Sequence, residues 1–134
     1  MIKIQQQDFD LEKEISTIKF KHAHVGAVST FIGYVRDINN NKKVTSIDLE
    51  VYQDMALNSL EKICKDAKKK WVLIDSLVIH RYGQLEINEK IVLVATFSMH
   101  RSDSIASCNY IIDFLKKDAP FWKKEFNNEN FNWL

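Results

Sequence analysis

Glycine, proline and cysteine are scarce in this sequence, with three, one and two copies in 134 residues. Neither Cys64 nor Cys108 belongs to a CxxC pair or a zinc signature, which argues against thiol chemistry and predicts two core cysteines. No apolar run approaches the roughly 20 residues that cross a bilayer, and the first residues lack the apolar core of a signal peptide. These absences predict a cytoplasmic protein with reduced thiols and no membrane contact.

An excess of either charge is also missing. Lys and Arg number 19 and Asp and Glu 18, for a formal net charge of +1, whereas a general nucleic-acid binder is strongly basic. The sequence has no Walker loop, no GxGxxG, no HExxH and no GxSxG, and its histidines show no metal-ligand spacing. We therefore expect no nucleic acid, no metal and no bound cofactor, and any cationic site has to be local.

The hydrophobic fraction of 46% predicts one globular domain over residues 1–134. Strand patterns outnumber helical ones without regular alternation, which indicates an α+β fold with a mixed or antiparallel sheet and helices packed on it. Helices are predicted behind three capping residues, Asp10, Asp54 and Ser102. Strands are predicted over 2–5, 26–35, 46–51, 73–82 and 91–99, with a polar loop over 36–45 and a C-terminal hairpin over 121–126 and 131–133.

Cations gather at the ends of the last helix. The strand over 91–99 runs into His100 and Arg101, where the free N–H groups of a helix N-terminus favour an anion. A half-buried histidine beside an arginine in a structural ion pair is the competing interpretation. The same helix ends in Lys116 and Lys117 and stops before Pro120, the only proline. This pattern favours a site for a phosphorylated small molecule.

Lys116 and Lys117 fall on different sides of that helix. At 100° per residue, Lys116 lies above Ile112 and Ile105, which are predicted to face inward. A lysine that loses hydration there is a better general base or nucleophile, although a side chain that extends to the surface is the alternative. Lys117 points away and is expected to be solvated near the negative end of the helix dipole.

Arg36 and Lys123 are weaker candidates on pattern alone. Arg36 closes an apolar strand and opens the polar loop, where binding groups often lie, but an ordinary surface arginine gives the same pattern. Lys123 falls in the C-terminal hairpin, where a lysine on an edge strand also deters aggregation.

Several segments, in this order, resemble the family of the large, catalytic subunit of molybdopterin synthase. They are residues 26–36 (GAVSTFIGYVR), 49–52 (LEVY), 80–83 (HRYG), 100–102 (HRS) and 115–125 (LKKDAPFWKKE). Each segment is weakly specific by itself, but their combination covers most of the chain from Gly26 onward.

The resemblance implies an α/β-hammerhead fold and a homodimer. It also implies a heterotetramer with a small ubiquitin-like sulfur carrier that ends in a Gly-Gly thiocarboxylate. The implied reaction is a sulfur transfer that converts cyclic pyranopterin monophosphate to molybdopterin. The family's catalytic lysines fall on Lys116 and Lys123. Its substrate-binding groups fall on Phe31, Arg36, His100, Arg101, Lys124 and Glu125.

The chain departs from the family pattern at two places. Tyr34 stands where relatives often have a basic residue, and the sequence stops at Leu134, where relatives usually continue into a charged tail with a further arginine. The alternative function is a non-catalytic phosphoanion-binding or scaffold protein on the same fold, and generic RNA binding is a third hypothesis. The presence of both lysines favours the enzyme, and the near-neutral charge disfavours RNA binding.

The predicted last helix also bears on assembly. If it is continuous, it separates the backbones of Arg101 and Lys116 by about 22 Å, which is too far for one compact pterin to touch both easily. The simplest arrangement is a twofold dimer in which His100 and Arg101 of one subunit complete the pocket that holds Arg36, Lys116 and Lys123 of the other.

Overall fold

The computed structural model describes residues 1–39, 41–126 and 131–133, and the side chains of residues 39, 42, 124–126 and 131–133 lie outside that description. The helices are α1 (Leu11–Lys19), α2 (Gln53–Lys70) and α3 (Arg101–Lys117). The strands are β1 (Ile2–Gln5), β2 (Ala27–Tyr34), β3 (Ile38–Asn39), β4 (Lys42–Lys43), β5 (Ser46–Val51), β6 (Asp75–Arg81), β7 (Gly83–Glu86), β8 (Lys90–Ser98), β9 (Phe121–Phe126) and β10 (Phe131–Trp133). Over these described ranges, no helix is long and apolar enough to cross a membrane.

The first sheet has the strand order β1-β6-β8-β2, with β1 parallel to β6 and the other pairs antiparallel. Successive side chains of β6 point to opposite faces. Leu77 and Ile79 therefore pack in a cluster with Ile18 of α1, whereas Val78 packs in a cluster with Leu60 of α2 and with part of α3. A mixed sheet with helices on both faces confirms the predicted α+β class.

The second sheet has the order β10-β9-β5-β7 and is antiparallel. Its strands β9 and β10 form the hairpin that the sequence predicts. Strand β7 was not predicted, because the predicted strand over 73–82 ends at Gly83 and no further strand was expected before residue 91. Gly83 adopts a φ of +90°, a conformation that glycine tolerates best, so the chain bends out of β6 and pairs with β5. The predicted polar loop likewise contains a short β3–β4 pair.

Two of the three predicted helix caps are wrong. Asp10 does accept a hydrogen bond from the first turn of α1. However, α2 begins one residue before Asp54 and α3 begins one residue before Ser102, so both side chains lie inside the first turn. Tyr52 and His100 precede these helices without side-chain capping bonds. The carboxylate of Asp54 instead stabilises the positive end of the α2 dipole.

Small polar residues form much of the buried side of α3. Its buried positions are Ser104, Ser107, Cys108 and Ile111. The prediction that Ile105 faces inward is wrong, since Ile105 is 59% exposed. The helix approaches the sheet on its serine side because Ser104 exchanges hydrogen bonds with Thr96 of β8.

Candidate functional site

His100 and Arg101 lie at the junction of β8 and α3, and both side chains are exposed. Gly26 closes this junction. Its N–H donates to the carbonyl of Ser98 at 2.9 Å, and an added Cβ would lie 2.3 Å from the carbonyl oxygen of Met99. The His100 side chain does not cap the helix, so the backbone N–H groups of the first turn of α3 are left without that partner. They lie beside an exposed imidazole and an exposed guanidinium, and this arrangement suits an anion.

Lys116 and Lys117 lie in the last turn of α3, and both are exposed. Lys116 falls about 60° around the helix axis from Arg101, on the side that also carries the exposed Ile105. The expectation that burial desolvates Lys116 therefore does not hold within the single chain. Any removal of water from this amine has to come from a bound molecule or a second chain.

Phe121 opens β9 and stacks on the imidazole of His80, with ring centroids 3.6 Å apart and an interplanar angle of 17°. Lys123 follows two residues later and lies on the same side of β9. It is exposed and pairs in register with Leu49 of β5. Since His80 belongs to the first sheet and Phe121 to the second, Lys123 extends near the place where the two sheets meet.

Phe31 and Arg36 belong to β2 and to the segment that follows it. Phe31 is 38% exposed. A Cβ added at Gly33 would lie 3.0 Å from Cγ1 of Val92 and 3.7 Å from the ring of Phe31, so the glycine lets these side chains close over the strand. Arg36 is exposed beyond the end of β2.

The direction of α3 decides which of these residues share an end of the molecule. Near the start of β2, the hydroxyl of Ser29 lies 2.6 Å from that of Ser104. One turn later along α3, the thiol of Cys108 lies 3.9 Å from the carbonyl oxygen of Val94, which is further along β8 from the junction. The helix therefore runs in the same direction as β2, and Lys116 lies at the end of the sheet where β2 leads into Arg36.

The strand register brings β9 to that same end. His80, Val92 and Gly33 are neighbours across β6, β8 and β2, and Phe121 lies on His80. The residues that gather here are Phe31, Arg36, Lys116 and Lys123. His100 and Arg101 lie at the opposite end of α3, which is continuous over residues 101–117 and therefore separates them from Lys116 by about 22 Å.

Lys124 and Glu125 were predicted to bind substrate. Their backbone belongs to β9, but their side chains lie outside the described residues. Both assignments stay predictions.

His80 is the residue near this site that the sequence reasoning missed. It is 8% exposed, and burial lowers the pKa of its imidazole to about 4, with the positive charge of Lys123 acting in the same direction. A signal was present in the sequence, because a histidine ends the apolar run from Leu77 to Ile79 in a strand predicted to be buried. The spacing between histidines indicates only whether they could bind a metal together, so it does not reveal a buried histidine of this kind.

The opposite side of β9 carries a groove of about 370 Å³ lined by Glu50, Val51, Tyr52 and Trp122. The rings of Tyr52 and Trp122 meet edge to face with centroids 4.8 Å apart. Because Trp122 and Lys123 point to opposite sides of the strand, this groove does not belong to the site that contains Lys123.

Both cysteines are free, with Cys108 buried as predicted and Cys64 half-buried. Burial raises the pKa of both thiols, that of Cys108 to about 11. Each sulfur therefore stays a protonated thiol near neutral pH, which makes it a poor nucleophile. Within the part of the chain that the structure describes, no group of three His, Cys, Asp or Glu side chains could hold a metal ion.

Comparison with known proteins supports the resemblance drawn from the sequence. Residues 4–118 match the family model described as "MoaE protein". A molybdopterin synthase catalytic subunit from Ralstonia nicotianae is 45% identical over 133 residues, which cover 99% of this chain and 76% of the relative. The resemblance to the family of the molybdopterin synthase catalytic subunit is thereby confirmed.

Solved structures agree with this comparison. The molybdopterin biosynthesis MoaE protein from Burkholderia ambifaria is similar with a TM-score of 0.87 and 40% identity, covering 100% of this chain and 88% of that one. The molybdopterin synthase from Staphylococcus aureus has a TM-score of 0.89 at 29% identity, covering 98% and 95%. A complex of subunits 1 and 2 of the molybdopterin-converting factor from Helicobacter pylori shares the fold, with a TM-score of 0.82, 20% identity and coverage of 98% and 88%.

Proposed function

The chain belongs to the MoaE protein family and is an enzyme of the molybdopterin synthase type, and we propose that it transfers sulfur to cyclic pyranopterin monophosphate to form molybdopterin. The sulfur donor is the C-terminal Gly-Gly thiocarboxylate of a small ubiquitin-like carrier. A separate donor subunit is consistent with the name "catalytic subunit" of the similar protein. The enzyme works in the cytoplasm, where its free thiols stay reduced.

One observation carries this proposal. The fold gathers Arg36, Lys116 and Lys123, which are far apart in the sequence, at the end of the molecule that also holds Phe31. A phosphorylated pterin needs fixed cations for its phosphate and an aromatic surface for its rings. A carrier terminus with a negative charge needs the same positive lining.

Lys116 and Lys123 serve the transfer step. Attack on the acyl carbon of the carrier terminus builds negative charge on the acyl oxygen, and an ammonium group close to that oxygen stabilises it. A lysine can also move a proton during the step. Each carrier forms an acyl–sulfur bond to the pterin side chain, and water cleaves that bond, so the sulfur stays on the pterin and the carrier leaves with a C-terminal carboxylate. Two such deliveries supply the two dithiolene sulfurs. One of the two carbons loses its oxygen as water, and the other loses its phosphate-ester oxygen, which stays on the phosphate as the cyclic ester opens. Since both sulfurs arrive on the carrier, neither cysteine of this chain is needed as a sulfur donor.

The remaining groups bind substrate. Arg36 contacts the phosphate through a charge-assisted hydrogen bond, and Phe31 lines the pterin pocket. Lys124 and Glu125 belong to the same binding region. The chain acts as a homodimer that binds two carriers in a heterotetramer.

His100 and Arg101 complete the pocket of the other subunit. Arg101 and Lys116 lie on the same side of α3 but about 22 Å apart. A twofold axis beside the middle of α3 would place two copies of the helix antiparallel, which brings Arg101 of one chain towards Lys116 of the other. The exposed Ile105 on this side would then be covered.

The non-catalytic scaffold has no comparable support, because the similar curated protein carries the name of a catalytic subunit. The deciding experiment mixes the purified protein with thiocarboxylated carrier and cyclic pyranopterin monophosphate and measures molybdopterin. A carrier that ends in an ordinary carboxylate is the matched control. We expect product only with the thiocarboxylate, and no product from either mixture would refute the proposed function.

A further inference from the structure

His80 is a polar side chain in an apolar layer of the first sheet. Strand β6 lies between β1 and β8, and His80 pairs in register with Ile4 on one side and Val92 on the other. The residue is only 8% exposed. A buried polar group costs free energy unless it is hydrogen-bonded. The contacts of the His80 ring therefore indicate its role.

One ring nitrogen of His80 is fixed by the backbone. Nδ1 lies 2.8 Å from the carbonyl oxygen of Arg81, and because a carbonyl can only accept, Nδ1 must carry the hydrogen. Burial lowers the pKa of the imidazole to about 4, so the ring is neutral near pH 7. Nε2 is then an unprotonated acceptor.

The ring face of His80 holds the start of β9. The imidazole stacks on Phe121 at 3.6 Å, which joins the first sheet to the second. Lys123 lies two residues further along, on the same side of β9 as Phe121. Its charge is close enough to disfavour a positive imidazole. The side chain of Arg81 leaves from the other face of β6, towards Gln6 and Lys90.

We propose that His80 is a positioning residue for Lys123: the neutral imidazole fixes the start of β9 through Phe121 and adds no second positive charge on the side of the strand that carries the lysine. This inference rests on the proposed function, because the task matters only if Lys123 takes part in sulfur transfer. A protonated ring would repel the ammonium group and displace it from the acyl oxygen that it has to stabilise.

The first test does not depend on enzymatic activity. NMR of the ¹⁵N-labelled imidazole of His80 reports which nitrogen carries the hydrogen and where the ring titrates. We expect the Nδ1–H tautomer, and we expect Lys123→Ala to raise the pKa of His80 while leaving it below 6.5, since burial is the larger cause. Lys117→Ala removes an exposed lysine of α3 and is expected to change nothing. The Nε2–H tautomer, or equal titration in both variants, would overturn the proposal.

The second test is a double-mutant cycle on turnover. We expect His80→Gln to lower kcat about tenfold with little change in the KM for the carrier, and to have almost no further effect in a Lys123→Ala background. A residue that only supports the fold would give losses that multiply, and that result would refute the positioning role. If His80→Gln does not fold, His80→Asn, which keeps an N–H donor near the Nδ1 position, takes its place in the cycle.

The two tests separate the failure of this inference from the failure of the proposed function. A wild-type protein that forms no molybdopterin would refute the function, and with it the catalytic purpose of the contact. The NMR experiment would still decide whether His80 and Lys123 are electrostatic neighbours.

Discussion

Thr96 and Ser104 exchange two hydrogen bonds that fix α3 on the first sheet. The hydroxyl of Thr96 donates to the carbonyl oxygen of Ser104 at 2.6 Å, and the hydroxyl of Ser104 donates to the carbonyl oxygen of Thr96 at 3.2 Å. Both residues are fully buried. This pair sets the rotation of α3 about its axis, and that rotation leaves Arg101 and Lys116 exposed on the same side.

The hydroxyl of Ser98 contrasts with this pair, since it is buried without a hydrogen-bond partner among the described residues. We therefore expect Ser98→Ala to leave the free energy of unfolding unchanged or to raise it by about 1 kcal/mol. Ser104→Ala should lower it by about 1–3 kcal/mol, because partners of its hydroxyl are left unpaired. Urea unfolding of both variants measures the difference, and equal destabilisation would contradict this account.

Much of the fold followed from periodicity. The sequence predicts an apolar stripe on α2 made of Ala56, Leu60, Ile63, Ala67 and Trp71. The first four are buried, whereas Trp71 lies just past the end of the helix and is half-buried. The side of α3 was not predicted correctly, because apolarity ranked Ile105 above the serines. A serine becomes a core residue only when a partner such as Thr96 satisfies its hydroxyl, and that partner lies in another element.

The candidate site was predicted as a set of residues rather than as an arrangement. Motif resemblance supplied Arg36, Lys116 and Lys123, and the continuous helix already implied that Arg101 lies apart from them. The contact between His80 and Phe121 was beyond the reach of the sequence, because it joins residues 41 positions apart in two different sheets.

Lys116→Ala should abolish turnover while the fold and carrier binding stay nearly intact. The side chain is exposed in the last turn of α3, so its loss costs little stability, whereas the acyl oxygen would lose its charge partner. Lys117→Ala removes the neighbouring exposed lysine and should behave like the wild type. Assays of molybdopterin formation compare the two, and equal losses would argue against the assignment.

Arg36→Ala and Lys123→Ala should each weaken substrate binding or turnover. A charge-assisted contact to phosphate contributes roughly 1.5–3 kcal/mol, which corresponds to about 10- to 100-fold. Wild-type binding should also weaken with added salt. Lys69→Ala is the control, because it removes the same charge from an exposed lysine of α2. A substrate affinity that changes neither with added salt nor in the two variants would rule out a cationic pocket.

His80 should make the stability of the protein depend on pH. The pKa of the imidazole is lowered from 6.5 to about 4 in the folded chain, mainly by burial, so below pH 6.5 the unfolded chain binds more protons. Stability is fully present above pH 6.5 and falls as the pH drops towards 4, by about 2 kcal/mol between pH 8 and pH 5. Urea unfolding at a series of pH values measures this change. The free energy of unfolding of His80→Gln should depend less steeply on pH than that of the wild type, and an identical pH dependence would count against a neutral buried ring.

The assembly is testable by mixing two inactive variants. In a twofold dimer of Arg101→Ala and Lys116→Ala chains, one pocket loses both groups, while the other keeps Lys116 of the first chain and Arg101 of the second. Each homodimer has only defective pockets. Subunit exchange should therefore restore some turnover, approaching one intact pocket per heterodimer.

The control for this mixture keeps both substitutions in the same chain. A double variant mixed with wild type forms heterodimers in which each pocket lacks one group, so exchange should lower the activity contributed by the wild-type chains. Native mass spectrometry establishes that exchange has taken place. If the two single variants exchange subunits and still form no molybdopterin, Arg101 and Lys116 act within one chain, and about 22 Å of continuous α3 would then have to be spanned by the substrate and the two side chains themselves.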